Sequence, residues 1–330
     1  MDTKIISDMR EAAALLQKGE VVAFATETVY GLGADATSGE AIQKIFAAKG
    51  RPSDNPLIVH IASTQQLGQV VTAVPDYAKK LMDAFWPGPL TLVLPKSAEI
   101  SPLTTAGLST VGVRVPDHPL ALRLLEAANI PIAAPSANVS GRPSPTKAAH
   151  VLEDLNGKIP AILDGGDCDI GLESTVLDCT TEIPVILRPG NVSKEQIENL
   201  IGRVEVSTPD VQNSPKSPGM KYQHYAPKAP LVVVQSGEAR LLKEIASAKN
   251  AEKRIGILVA KECVRQFDAH VVLPWGSLHN NELAEQELYD CLRKFDHLEV
   301  DIIFAALFPE QKLSAALENR LYKAAGGNVV

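Results

Sequence analysis

The sequence predicts an α/β protein built in two parts. Three observations predict it. Short apolar runs alternate with stretches of helical periodicity, a polar segment rich in Pro and Ser interrupts that alternation around 205–230, and the alternation then restarts. A chain of 330 residues has room for two domains of roughly 100–200 residues each.

The elements follow in order. VVAFAT (21–26) reads as a strand. In 38–50, Ala41, Ile42, Ile45 and Phe46 recur at helical spacing; Ser38 can cap the helix and Gly50 can end it. PLIVHI (56–61), LTLVLP (90–95) and VGVRVP (111–116) read as strands, and 75–85 and 117–128 as helices. Further apolar runs lie at 131–134, 160–163, 175–178 and 184–187. STPDVQNSPKSPGMKYQHYAPKAP (207–230) has no periodicity and reads as a linker, although Met220, Tyr222, His224 and Tyr225 are more than a spacer needs. Beyond it come strands at 231–235, 255–260 and 301–308 and helices at 237–249, 281–294 and 310–325. That order predicts a small parallel sheet with covering helices. The expected division is 1–208, a linker over 209–229, and 230–330.

Composition narrows the function. Hydrophobic residues make up 45% and charged residues 22%, which excludes a disordered chain, a collagen-like chain and a coiled-coil rod. No apolar run reaches the roughly 18–20 residues of a membrane span, and MDTKIISDMR lacks the apolar core of a signal peptide. A cytoplasmic protein without membrane contact is expected. Cys168, Cys179, Cys263 and Cys291 lie far apart, which argues for buried thiols rather than a disulfide scaffold or zinc ribbon. The net charge of −7 speaks against a general nucleic-acid binder. Residues 1–212 carry −8 and residues 213–330 carry +1, so cations inside the motifs of the first part run against their background.

Alternation along strands picks out two polar side chains. In VGVRV, Gly112 and Arg114 share a face opposite Val111, Val113 and Val115. Arg114 then projects into a pocket, with Gly112 leaving room beside it, or faces solvent from an edge strand. In LIVHI, Ile58 and His60 share a face, and His60 could equally be a hydrogen-bonded core histidine.

The usual nucleotide motifs fit poorly. No G-x-x-x-x-G-K-[ST] occurs. GLGADA (31–36) matches the permissive G-x-G-x-x-A, but four residues separate it from the preceding strand. Other anion-binding clusters remain. Lys49 and Arg51 flank Gly50 before a proline-stiffened loop, where they could also simply compensate a helix dipole. APSANVSGRPSPT (134–146) offers Ser136, Asn138, Ser140 and Ser144 with Arg142, and LRPG (187–190) puts Arg188 at a strand end.

Taken together, T-E-T-V-Y-G-L-G (26–33), K-G-R-P (49–52), N-P-L-I-V-H (55–60), W-P-G-P (86–89), V-R-V-P (113–116), P-S-A-N-x-S-G (135–141), E-S-T-V (173–176) and R-P-G (188–190) resemble the YrdC-type domain of the L-threonylcarbamoyladenylate synthase family. S-P-G-M-K-Y-x-H-Y-A-P (217–227) resembles the linker of its long form. The resemblance implies a YrdC-like twisted, open mixed sheet with helices, followed by a Rossmann-like parallel α/β domain. It implies synthesis of threonylcarbamoyl-AMP from L-threonine, bicarbonate and ATP, the first step of threonylcarbamoyladenosine formation at tRNA position 37. Magnesium would accompany ATP, with metal ligands unspecified and no tightly bound organic cofactor. A separate threonylcarbamoyltransferase complex would receive the product, with little direct nucleic-acid binding.

The resemblance also implies site residues. Lys49, Arg51, Ser136 and Asn138 would be catalytic. Thr28, His60, Arg114, Ala134 and Ser174 would contact threonine, with Arg114 suited to a bidentate grip on its carboxylate. Arg51, Asn55, Thr110, Ser136, Ser144, Arg188 and Tyr225 would contact ATP. An RNA-binding module and a carbamoyltransferase domain are alternatives. The acidic chain argues against the first, and the lack of further carbamoyltransferase parts argues against the second.

Overall fold

The computed structural model describes residues 2–207, 224–235, 237–308 and 311–330, the side chains of 265 and 266 excepted. The chain divides into two compact units. The second takes Gly141–Ser144 and Ile170–Leu172 together with the C-terminal part of the chain, and the first takes the remainder.

In chain order the first unit contains β1 (Lys4–Ile6), α1 (Met9–Gln17), β2 (Val22–Phe24), β3 (Gly31–Asp35), α2 (Gly39–Lys49), β4 (Ile58–His60), α3 (Leu67–Val70), α4 (Asp76–Phe85), β5 (Leu90–Pro95), β6 (Thr110–Arg114), α5 (Pro119–Ala128), β7 (Ile132–Ala133), α6 (Ala148–Leu155), β8 (Ala161–Leu163), β9 (Thr175–Asp178), β10 (Val185–Arg188), α7 (Lys194–Ile201) and β11 (Glu205–Val206). The strands form one mixed sheet in the order β1-β8-β2-β3-β7-β4-β6-β5-β9-β10-β11. The mixed sheet expected from the motifs is present.

Local chemistry sets the helix ends. Ser38 accepts from the Ala41 amide at 3.2 Å, and Gly50 closes α2 in the left-handed region at φ 59°. Asn129 ends α5 the same way at φ 52°, where only Gly and Asn sit comfortably. Ser193 and Gln196 form a capping box at the start of α7.

The sequence did not reveal β1, α1, β3, α3, α6, α7 or β11. β3 is the instructive case, because GLGAD is an internal strand rather than a phosphate-binding turn. A Cβ on Gly33 would lie 2.8 Å from both Ile132 Cγ2 and Phe24 Cε1, so close packing explains this glycine.

The two faces of the sheet are filled differently. One is covered by a large core in which Val59, Leu92, Val113 and Leu177 meet Ile42 and Ile45 of α2, Leu81 of α4 and Ile197 of α7. On the other face, α1 and α5 pack through Leu16, Leu124 and Leu125 onto Phe24, Ile132 and Leu163. Further along that second face lies a small cluster of Ile58, Val93, Val176 and Leu187, with Val185 packed against it; all five are strand residues.

The second unit contains β12 (Leu231–Val234), α8 (Glu238–Asn250), β13 (Ile255–Val259), β14 (Val271–Pro274), α9 (Asn281–Phe295), β15 (Ile302–Ala306) and α10 (Ala315–Ala324). Its four strands are all parallel, in the order β12-β15-β13-β14. The small parallel sheet is therefore as expected, with β14 an edge strand the sequence did not reveal. Trp275 is fully buried and donates to the Ala284 carbonyl at 2.7 Å, a core role. All four cysteines are buried, and none of them forms a disulfide among the described residues.

Candidate active site

Strand register lines up buried polar side chains across the second face of the sheet. His60 of β4 is the direct partner of Arg114 of β6. β5 lies on the other side of β6, and its Thr91 hydroxyl meets the Ser174 hydroxyl at 2.8 Å. Arg188 of β10 donates from Nε and Nη2 to the Ser174 carbonyl at 3.2 and 3.0 Å. Residues opposite one another in a ladder share a face. His60, Arg114, Thr91 and Arg188 thus share one face on β4, β6, β5 and β10, and Ser174, just ahead of β9, joins this transverse row through its bonds to Thr91 and Arg188.

Arg114 is no edge residue. Its strand is internal and the side chain is 3% exposed. An unpaired guanidinium there would be untenable, and the structure supplies its partners. Nη1 donates to Glu27 Oε1 at 2.7 Å, Nη2 to the hydroxyls of Thr26 and Thr28 at 3.2 and 3.0 Å, and Nε to His60 Nε2 at 3.1 Å. Four of the five N–H groups are engaged. Among the described residues one N–H on Nη1 is not engaged, so the bidentate grip expected from the motifs requires Thr26 or Thr28 to let go.

His60 accepts through Nε2, which places its ring proton on Nδ1. Burial holds its pKa well below the usual histidine value, and the neighbouring Arg114 cation adds to the effect. The ring is neutral and fixed.

The remaining residues of this face frame the row. Gly112 and Thr110 lie on it with Arg114; Thr110 is at the far end of β6, roughly 13 Å away at 3.3 Å per residue. Gly112 leaves less room than its alternation implies: a Cβ there would meet Thr91 Cγ2 at 3.2 Å and Ile58 Cγ1 at 3.5 Å. Ala134 is 6% exposed, and its amide donates to the Ile58 carbonyl at 2.9 Å.

Lys49, the last residue of α2, is 1% exposed. Its Nζ donates to the carbonyls of Ser136 and Asn138, both at 2.5 Å. The ammonium thus organises the 134–140 loop rather than merely compensating the helix dipole. Arg51 Nη2 lies 3.5 and 3.4 Å from the carbonyls of Asn55 and Pro56, ahead of β4. Asn55 is 1% exposed, and neither nitrogen nor oxygen of its side-chain amide has a hydrogen-bond partner among the described residues. A buried amide in that state fits a site that expects a ligand.

Ser144 and Tyr225 belong to the second unit. Ser144 is 1% exposed. Tyr225 has φ 68°, stacks on Tyr289 at 5.3 Å and carries the Arg320 guanidinium 5.7 Å from its ring centroid. Met220 and Tyr222 lie outside the described residues.

Glu27, Thr26 and Thr91 were not singled out from the sequence. Alternation in LTLVLP already separates Thr91 from the three leucines, so a signal for it existed. Glu27 sits in the T-E-T-V-Y motif, but nothing local says that it meets Arg114 87 positions away. Among the described residues no cluster of three or more His, Cys, Asp or Glu side chains could hold a metal ion.

The fold is that of an α/β protein whose mixed sheet carries a row of buried polar side chains, two of them arginines, on one face. Comparison with known proteins gives its family. The family model described as "Telomere recombination", covering the Sua5, YciO and YrdC proteins, matches residues 14–190. The "Threonylcarbamoyl-AMP synthase, C-terminal domain" model matches 192–326. The threonylcarbamoyl-AMP synthase of Bacillus subtilis is 52% identical, over 97% of this chain and 93% of its own length. That of Schizosaccharomyces pombe is 41% identical, over 97% and 88%. The crystal structure of Pyrococcus abyssi Sua5 complexed with L-threonine superposes with a TM-score of 0.93 at 45% identity, covering 99% of both chains. Escherichia coli YciO shares the fold of the first part, with a TM-score of 0.52 at 24% identity over 58% of this chain and 98% of its own. The chain belongs to the threonylcarbamoyl-AMP synthase family.

Proposed function

We propose that this chain joins L-threonine, bicarbonate and ATP into threonylcarbamoyl-AMP, releasing pyrophosphate and water. The observation that carries the reading is the transverse row, in which Arg114 and Arg188 are buried at 3% and 5% exposure on one face of a mixed sheet. The threonine bound to P. abyssi Sua5, at 45% identity, supports the choice of amino acid.

The chemistry brings anions together: the threonine carboxylate, a carbamate and a triphosphate. The residues' work is charge neutralisation and alignment. Arg114, fixed by Glu27, Thr26 and Thr28, offers one N–H to the threonine carboxylate. His60, Ala134 and Ser174 line the same place. Lys49 holds the loop carrying Ser136 and Asn138, and Arg51, Asn55, Thr110 and Arg188 serve ATP. The ATP roles expected of Ser144 and Tyr225 are part of this proposal. Magnesium would arrive with the triphosphate, whose oxygens and waters can supply its coordination. The product would pass, in the cytoplasm, to a threonylcarbamoyltransferase complex acting on tRNA.

The test is pyrophosphate release from ATP. Turnover should require threonine and bicarbonate together; release that is indifferent to either would overturn the proposal.

A further inference from the structure

Resting on the threonine reading, we propose that Glu27 makes this site demand an α-ammonium together with an α-carboxylate. Amino acids are then accepted, and hydroxy acids lacking the amino group are refused.

Glu27 is 3% exposed. One oxygen holds Nη1 of Arg114, and the other, Oε2, is buried and has no hydrogen-bond partner among the described residues. A buried carboxylate oxygen without a donor is unfavourable, and a donor on the bound molecule relieves it. The surroundings sharpen the point. Thr26 and Thr28 are each 1% exposed and His60 is 4% exposed, so little water screens the charges.

The N–H of Arg114 not engaged among the described residues is on the same Nη1 that Glu27 occupies. A ligand carboxylate taking it comes close to a second carboxylate, and the two anions repel. The Arg114–Glu27 pair is already neutral, so Arg114 by itself does not compensate an added lone anion. A zwitterion brings its own cation, two bonds from its carboxylate. Neutral His60 supplies no positive charge to substitute for it.

The experiment is calorimetric binding of L-threonine and of 3-hydroxybutanoate, its deaminated counterpart, to the full chain. Wild type should bind threonine at least roughly 100-fold more tightly. In Glu27→Gln, which keeps the shape and the acceptor for Nη1, that ratio should shrink by roughly tenfold or more. Glu27→Asp should keep it closer to wild type. An unchanged ratio in a folded Glu27→Gln overturns the proposal. So does wild-type binding of 3-hydroxybutanoate within about threefold of threonine, a result that needs no variant. If wild type binds no threonine, the substrate reading itself fails and this inference falls with it.

Discussion

Arg114 donates from Nε to Nε2 of His60 across 3.1 Å, and the two residues are direct register partners on adjacent parallel strands. The bond requires a neutral imidazole, because a protonated ring would set two donors against each other. Burial and the arginine both disfavour protonation.

Stability should therefore depend on pH through His60. In the unfolded chain a histidine takes a proton near pH 6.5, whereas in the fold it resists. The unfolded state binds more protons as pH falls below that value, so this contribution is fully present above about 6.5 and lost as pH drops toward the folded pKa. Melting temperatures of wild type and His60→Gln, measured from pH 7.5 to 5.5, should converge on acidification. Parallel curves would rule the linkage out.

Lys49→Met should lower both stability and turnover. It removes a buried donor from the carbonyls of Ser136 and Asn138, and each buried acceptor left without a partner costs about 1–3 kcal/mol. Thermal melting and pyrophosphate release measured side by side check this. A stable variant that loses only turnover would mean that the ammonium acts on substrate instead.

Asn55→Ala should behave in the opposite way. Its amide has no hydrogen bond to lose among the described residues, so the melting temperature should hold or rise. The apparent KM for ATP should increase by about tenfold, the worth of a single charge-assisted hydrogen bond. A drop in stability with an unchanged KM would place Asn55 in the scaffold.

Gly190→Ala should damage the site through the backbone. The added Cβ would lie 2.2 Å from the Thr175 amide nitrogen and 2.5 Å from the Ser174 carbonyl carbon, and neither can swing aside. Ser174 carries the carbonyl that Arg188 grips, so its displacement should reduce stability by about 1–3 kcal/mol and impair turnover. Chemical denaturation gives the first number, and full stability would show that the main chain relaxes.

Much of this was legible in the residues. Alternation placed Arg114 with Gly112 and His60 with Ile58, and the structure keeps both pairs. Ser38 and Gly50 bound their helix as capping chemistry requires. The motif set, read together, pointed to the family. Alternation could not say whether Arg114 was internal or at an edge, since that depends on β5 lying beside β6. GLGAD shows the same limit from the other side. Its glycines match a turn pattern locally, yet Phe24 and Ile132 dictate them from neighbouring strands.

The amino-acid order by itself determined which side chains share a strand face, where helices begin and end, and which cations depart from an acidic background. These depend on contacts a few residues apart. Only the tertiary structure decided that β9 and β10 lie beyond β5, so that Arg188 and Ser174 join His60 and Arg114 in one row. Only it gave Glu27 to Arg114 and turned the Lys49 ammonium onto two carbonyls. Those outcomes rest on non-consecutive strand pairing, and the energy that selects such a pairing comes from burying whole faces of a sheet, which no short stretch of chain encodes.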